Sequence, residues 1–357
     1  MRIAQIIDSL DVGGAEQMAV NYANALSKEI SFSGLVVTRK EGGLKSRIGE
    51  GVEYLFLKKK KTIDWKAVFK LKEYCKKNKI QFLQPHSSSY FLAFLVKLIY
   101  PKIQIIWHDH NGLSEFLGSQ KWIPLKVASF FFEGIIVVNY QLKNWAIKEL
   151  NCEHVIYLPN FTQQQNGTAF ETVIKGKEGK RILCLANLRD QKNHFLLVRV
   201  ADKLKKSHPD WSFHLVGKDF GDDYSKKLKS LIASNQLDET VFIYGTRNDV
   251  NTIIFQSDIA ILTSKSEGLP VALLEYGLNK KPVVVTQVGE IPLIIENGKN
   301  GYSVPSDNVE QFYKSLVALI ENQDLRSEFG NALHETILRN NSESAIIQQY
   351  LTWIKEL

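Results

Sequence analysis

Short apolar runs rich in Val and Ile recur from one end of this chain to the other, and longer amphipathic stretches separate them. In the first part the runs are RIAQII (2–7), SGLVVT (33–38), VEYLFL (52–57), FLQPHS (82–87), QIIWHD (104–109), GIIVVN (134–139) and VIYLP (155–159). Near-continuous apolar runs of this length suit strands buried on both faces. The intervening AEQMAVNYANALSKE (15–29) has helical periodicity. This alternation predicts an α/β chain built on parallel sheets.

The texture then breaks. FTQQQNGTAFETVIKGKEGK (161–180) is polar and has no clear period, as a linker or irregular boundary does. The rhythm restarts with RILCLAN (181–187), SFHLVG (212–217), VFIYG (241–245), IAILT (259–263) and PVVVT (282–286). Two Rossmann-like domains are therefore expected: residues 1–165 and residues 166–340. A last helix, 341–357, is expected to pack back on the first domain. At 357 residues the chain has room for two cores. No repeat of solenoid period or low-complexity tract appears. Ligands of parallel sheets bind beyond the carboxyl ends of the strands, so the expected site lies in a cleft that both sheets face.

Charge narrows the partners. The net charge is +7, and the stretch 58–79 holds ten lysines against Asp64 and Glu73. Such a block fits an anionic membrane surface, a nucleic acid or a charged substrate; the plain alternative is a solvated helix face. No aromatic pattern along it fits base stacking, which leaves nucleic acid the weakest reading. Cys75, Cys152 and Cys184 have no CxxC spacing and fit a reducing cytoplasm. MRIAQIIDSLDVGG reads as a strand rather than a signal peptide. No apolar run approaches the ~18–20 residues that span a bilayer. Localisation is expected to be cytoplasmic, peripheral on the inner membrane face if the basic block meets lipid.

The chemistry concentrates in a few loops. In EGLPVALLE (267–275) Glu267 belongs to a loop after a strand, and Glu275 sits over one turn into the next helix. Pro270 suits that helix's first turn. A helix N-terminus favours phosphate, and carboxylates accept hydrogen bonds from sugar hydroxyls. An acidic loop and a surface Glu would be the plain reading. In DSLDVGGAEQ (8–17), Gly13 and Gly14 precede a helix starting near Ala15, where glycine permits close approach to a ligand; a simple strand-to-helix turn is the alternative, and no GxGxxG is present. LANLRDQKN (185–193) places Arg189 and Lys192 after a strand, where cations neutralise a leaving diphosphate. In WHDHN (107–111), His108 and His110 share a face, but no third ligand is evident nearby, so no metal site is expected. His86 ends the preceding strand, either lining an acceptor or as a satisfied structural histidine.

EGLPVALLE resembles the Glu-x7-Glu signature of retaining family-4 glycosyltransferases, which have the GT-B fold. The resemblance extends in order through LANLRDQKN, VFIYGTRNDV (241–250), SDIAILTSKSEGLPVALLE (257–275), KPVVVTQVGEIPLII (281–295) and NGKNGYSVP (297–305). It implies a nucleotide-diphosphate sugar donor, UDP- or GDP-linked, and no cofactor or metal. Glu267 would contact donor-sugar hydroxyls, Glu275 the ribose, and the amides of Gly268 and Leu269 the sugar and phosphate side. Gly13 and Gly14 would face the diphosphate. Lys192 would offset its charge. The family often has Arg where this chain has Asn187, so Arg189 either replaces it or points to solvent. His110, followed by Asn111, is the better match to the family's histidine near the donor, with His108 second; His86 and His108 fall on the acceptor side. The implied acceptor is a cell-surface glycan, of lipopolysaccharide or capsule type, or a lipid-linked sugar. A nucleotide-sugar epimerase and a non-catalytic sugar-nucleotide binding protein are the alternatives.

Overall fold

The computed structural model describes residues 1–110, 119–161 and 172–357. Asn111 and residues 162–171 of the polar boundary segment lie outside the described residues. The chain divides into two compact units, Met1–Thr162 with Glu343–Leu357, and Gln163–Ser342.

The first unit is β1 (Arg2–Ser9), α1 (Gly14–Glu29), β2 (Phe32–Lys40), β3 (Val52–Phe56), α2 (Trp65–Lys77), β4 (Phe82–Pro85), α3 (Tyr90–Ile99), β5 (Gln104–Asp109), α4 (Ser119–Ser129), β6 (Gly134–Val137), α5 (Tyr140–Glu149) and β7 (Val155–Tyr157). The seven strands are parallel, in the order β3-β2-β1-β4-β5-β6-β7. Apolar residues on one face, among them Ile7, Leu35 and Val37, pack under α1. On the other, Ile6, Leu83, Ile105 and Val137 pack under α2 to α5. Burial on both faces explains why these strands read as apolar runs rather than alternating ones.

The second unit is β8 (Arg181–Leu185), α6 (His194–Ser207), β9 (Ser212–Val216), α7 (Asp223–Ser234), β10 (Val241–Gly245), α8 (Val250–Phe255), β11 (Ile259–Leu262), α9 (Val271–Leu278), β12 (Val283–Thr286), α10 (Ile291–Ile294), β13 (Tyr302–Val304), α11 (Val309–Glu321) and α12 (Gln323–Asn340). Its six strands are also parallel, in the order β10-β9-β8-β11-β12-β13. Side-chain caps start many helices: Asp64 for α2, Asn139 for α5, Asp222 for α7, Asn308 for α11 and Asn322 for α12.

The last helix, α13 (Glu343–Glu356), belongs to the first unit. Its Trp353 ring lies so close over Gly134 that a Cβ there would come within 2.5 Å. Tyr350 is fully buried beside Tyr22, ring centroids 5.2 Å apart.

Three local details differ from expectation. Helix α1 begins at Gly14, with Gly13 as its extended N-cap. Pro270 precedes α9 rather than lying in its first turn; at φ −70° and ψ 124° it is extended and delivers the chain into the helix at Val271. The lysine block is not uniformly solvated: Lys59 is buried, and desolvation lowers its pKa.

In both units the chain winds outward in opposite directions from a central strand pair, β1 with β4 and β8 with β11. Such a reversal opens a crevice beyond the carboxyl ends of that pair, where open α/β sheets bind ligands.

Candidate functional site

The loops after β8 and β11 flank the reversal point of the second sheet. The first carries Lys192 at the end of a single 3-10 turn, Asp190–Lys192, followed by Asn193 at φ 50°. Asparagine tolerates this left-handed conformation better than most residues. The second loop carries Glu267. Lys192 Nζ donates to both carboxylate oxygens of Glu267, at 2.6 and 2.8 Å, and Ser264 Oγ donates to Oε1 at 2.6 Å.

The backbones of the two loops are tied as well. Lys265 N donates to Gln191 O at 2.8 Å, Gln191 Nε2 to Ser266 O at 2.9 Å, and Thr263 Oγ1 to Lys192 O at 2.9 Å. Gly289, at φ +57°, presses on the carbonyl of Glu267, where a Cβ would stand 2.0 Å from that oxygen. Glu267 is 8% exposed. The pair is thus a desolvated, internally neutral couple whose carboxylate has spent three of about four acceptor positions. Room remains for a hydroxyl donor, and the ammonium has a third proton for an anion.

Glu275 is half-buried in the second turn of α9, and Leu269 is buried at the loop's end. Gly268 O accepts from Glu290 N at 3.1 Å. Arg189 is exposed, its guanidinium carbon 4.6 Å over the Phe220 ring. Asn187 holds the neighbouring turn, its Oδ1 accepting from Lys218 N at 2.8 Å. The structure therefore places Arg189 on a surface aromatic, while Lys192 alone pairs with Glu267. Ser264, Gln191 and Gly289 were not evident from sequence; a hydroxyl three residues before a loop glutamate was the one available signal.

At the reversal point of the first sheet lie the turn after β1 and the ends of β4 and β5. Gly13 caps α1, and a Cβ on Gly14 would meet nothing within 4 Å. Gly42 approaches so closely that a Cβ would lie 2.3 Å from Leu10 O, which fixes the path of the chain toward Gly13.

His86, His108 and His110 converge here, with one ring nitrogen of each within 4.8 Å of the others. Sequence spacing offered the His108–His110 pair no third ligand; the fold supplies one, because β4 and β5 are neighbours. His86 and His108 are fully buried and His110 half-buried. His86 Nδ1 lies 2.7 Å from His110 Nε2, and His86 Nε2 lies 2.7 Å from Gln5 Oε1. His108 stacks on His110, centroids 4.0 Å apart, and its Nδ1 lies 3.1 Å from Gln84 Nε2. Burial pushes the pKa of His110 down to about 3, and burial and its histidine neighbours push His86 and His108 well below the ordinary range. All three rings are neutral at neutral pH.

Residues 165–336 match the family model described as glycosyl transferases group 1. That span is nearly the whole second unit. Lys192, Glu267 and Glu275 lie inside it. The poly(ribitol-phosphate) alpha-N-acetylglucosaminyltransferase of Staphylococcus aureus is 24% identical over 255 residues, 71% of this chain and 50% of that protein, so the chain spans about half the length of this relative. The UDP-Gal:alpha-D-GlcNAc-diphosphoundecaprenol alpha-1,3-galactosyltransferase of Escherichia coli is 22% identical over 282 residues, 73% of this chain and 72% of that one. Among solved structures, Anabaena HepE in complex with UDP and glucose matches all of both chains with a TM-score of 0.83 at 17% identity. The fold is GT-B, with two Rossmann-like parallel-sheet halves.

Proposed function

We propose that the protein is a retaining glycosyltransferase that moves a sugar from a UDP-linked donor to a hydroxyl of a cell-surface glycan or lipid-linked acceptor, without a metal. The observation that carries this reading is the Lys192–Glu267 couple at the sheet's reversal point. On donor binding, Glu267 accepts hydrogen bonds from sugar hydroxyls, Glu275 from ribose hydroxyls, and Lys192 directs its remaining proton at the diphosphate. As the bond between the anomeric carbon and the diphosphate oxygen breaks, charge grows on that oxygen, and the fixed ammonium stabilises it. The acceptor oxygen bonds to the same face of the anomeric carbon, and its proton passes to the departing phosphate oxygen. No enzymic nucleophile is needed.

The activities of the staphylococcal and Escherichia coli relatives support this reading: one modifies poly(ribitol-phosphate), the other a diphosphoundecaprenol-linked sugar. The test is a thermal-shift panel of UDP-, GDP-, ADP- and CMP-sugars, followed by NMR of the product's anomeric configuration with glycan acceptors. Ligand binding raises the melting temperature by mass action. Stabilisation by a UDP-sugar and an axial-to-axial product support the reading. An inverted product, or sugar conversion without acceptor as an epimerase would give, overturns it.

The first unit is assigned acceptor recognition at an anionic membrane surface. Exposed Ile63, Trp65 and Phe69 stand among exposed lysines 58, 60, 61, 66 and 70, the pairing of aromatic and cationic groups that seats a helix in a lipid interface. Among the described residues no helix is long and apolar enough to cross a membrane. Cosedimentation with anionic vesicles that weakens with salt is expected; equal binding to neutral vesicles refutes the assignment.

A further inference from the structure

The hydrogen bonds around the three histidines have a direction, and two glutamine amides set it. Tyr350, on α13, donates its hydroxyl proton to Gln84 Oε1. Burial raises the phenol far above its ordinary pKa, so that proton stays in place. Gln84 Oε1 also accepts from Gln5 Nε2 at 3.2 Å. With its oxygen so used, Gln84 presents Nε2–H to His108 Nδ1. Gln5, having turned its amide nitrogen to Gln84, presents Oε1 to His86, and only a His86 Nε2–H can fill that 2.7 Å contact. A neutral His86 then carries a bare Nδ1. The 2.7 Å contact to His110 requires His110 to supply the proton from Nε2. A neutral His110 is left with a bare Nδ1, which has no hydrogen-bond partner among the described residues.

We propose that Gln5 and His86 are positioning residues that hold His110 as the Nε2–H tautomer, its Nδ1 lone pair at the carboxyl end of β5 ready to accept a hydrogen bond from a substrate hydroxyl. His86 is itself held on both sides. Its backbone N donates to Ile6 O at 2.8 Å, and Ser87 follows at φ 49° with its carbonyl taken by Trp107 Nε1 at 2.9 Å. His110 therefore meets a fixed partner rather than a rotating one. A free imidazole samples both tautomers and several ring angles; a ring fixed by a buried neighbour does not. The inference rests on the glycosyl-transfer reading for its consequence, and on the hydrogen bonds alone for its chemistry.

The same three rings resemble a metal-binding set, but the directed bonds oppose that use. His108 Nε2 carries the ring's proton and makes no hydrogen bond, and a proton already fills the space between His86 and His110. A metal would have to displace both.

The experiment is 15N NMR of histidine-labelled protein, with His110 assigned by its loss in His110→Gln. With eight histidines the spectrum is tractable. His86 and His110 are expected as pure Nε2–H tautomers that do not titrate between pH 5.5 and 8, on the order of the range around a free imidazole's pKa. In His86→Leu, His110 is expected to mix tautomers. In His86→Asn, whose carbonyl oxygen stands near the lost Nδ1, the single tautomer returns. Transfer kinetics should follow: kcat down about tenfold or more in the Leu variant with the donor KM little changed, and mostly recovered in Asn. A wild-type His110 in the Nδ1–H form or in a mixture overturns the inference, as does loss of the three ring signals on adding one equivalent of zinc sulfate. If wild-type protein transfers no sugar, the functional reading fails, and the NMR still decides the tautomers. If His86→Leu does not fold, the wild-type spectrum and His86→Asn decide alone.

Discussion

Replacing Lys192 by methionine removes one charge and leaves most of the stem's volume, which isolates the electrostatic part of the couple. In the wild-type protein Glu267 takes two hydrogen bonds from Lys192 and one from Ser264. Its side chain is 6% exposed and that of Lys192 23%. Removing one member of a buried pair costs about 3–5 kcal/mol, because the other charge is left without a partner. Here Lys192 retains some contact with water and Ser264 still serves Oε1, so a loss of about 2–3 kcal/mol is expected. The double variant Lys192→Met with Glu267→Gln removes the stranded charge and keeps an acceptor for Ser264; it should recover at least about 1 kcal/mol. Urea titration of 5-fluorotryptophan-labelled protein reads the effect locally, because Trp211 is the one tryptophan between residues 163 and 342. A loss below about 0.5 kcal/mol for the single variant would show that the couple is screened as a surface pair is. A double variant no more stable than the single one would show that the cost is packing rather than charge. In transfer assays the single variant should lower kcat far more than it raises the donor KM, since the ammonium works chiefly on charge that develops as the diphosphate leaves.

Glu275→Ala should weaken UDP binding by roughly 1–3 kcal/mol if the carboxylate takes the ribose hydroxyls; unchanged calorimetric affinity would remove it from the donor site. Gly289→Ala forces a side chain into a φ of +57° and against the Glu267 carbonyl. It should lower stability by about 1–3 kcal/mol and weaken donor binding together, and a melting temperature equal to wild type would refute the tight packing of these loops. Acid should destabilise the first unit. His86, His108 and His110 have folded pKa values below the unfolded value, so between those values the unfolded chain binds more protons and stability falls as pH drops below about 6.5. Three such groups give a slope on the order of 4 kcal/mol per pH unit, and equal urea midpoints at pH 7 and pH 5 would contradict their neutrality.

The strands were legible because a parallel sheet buries both faces and leaves the same apolar signature wherever it recurs. β13 escaped: three residues, Tyr302–Val304, sit among glycine, asparagine and proline, too short to show a period. What local pattern could not carry was strand order. Lys192 and Glu267 lie in separate loops, and only the adjacency of β8 and β11 makes them a couple. The same holds for His86 and His110, joined by the adjacency of β4 and β5. A subtler signal was present in the runs themselves. RIAQII and FLQP each hold a glutamine with apolar residues on both sides, and Gln5 and Gln84 prove fully buried. A buried amide needs partners, so a glutamine inside a strand of this kind points to a polar network at that depth of the sheet.

Both sheets reverse direction about a central strand pair, yet the polar groups of the two units solve different electrostatic problems. In the second unit the groups are ionic, and each neutralises the other. The attraction within such a couple repays its desolvation only with good geometry and further hydrogen bonds, here the one from Ser264. In the first unit the groups are neutral throughout: two amides, a phenol and three imidazoles linked by directed protons. A neutral network neither attracts nor repels phosphate; it can order the direction of a hydrogen bond. That division fits a reaction in which one substrate carries a diphosphate and the other offers a hydroxyl. It also makes the C-terminal helix more than a packing element, because Tyr350 is where the direction of the first unit's network is set. Tyr350→Phe should therefore disturb the tautomer of His110 while leaving the Lys192–Glu267 couple intact, and 15N NMR showing an unaltered His110 would break that chain of reasoning at its first link.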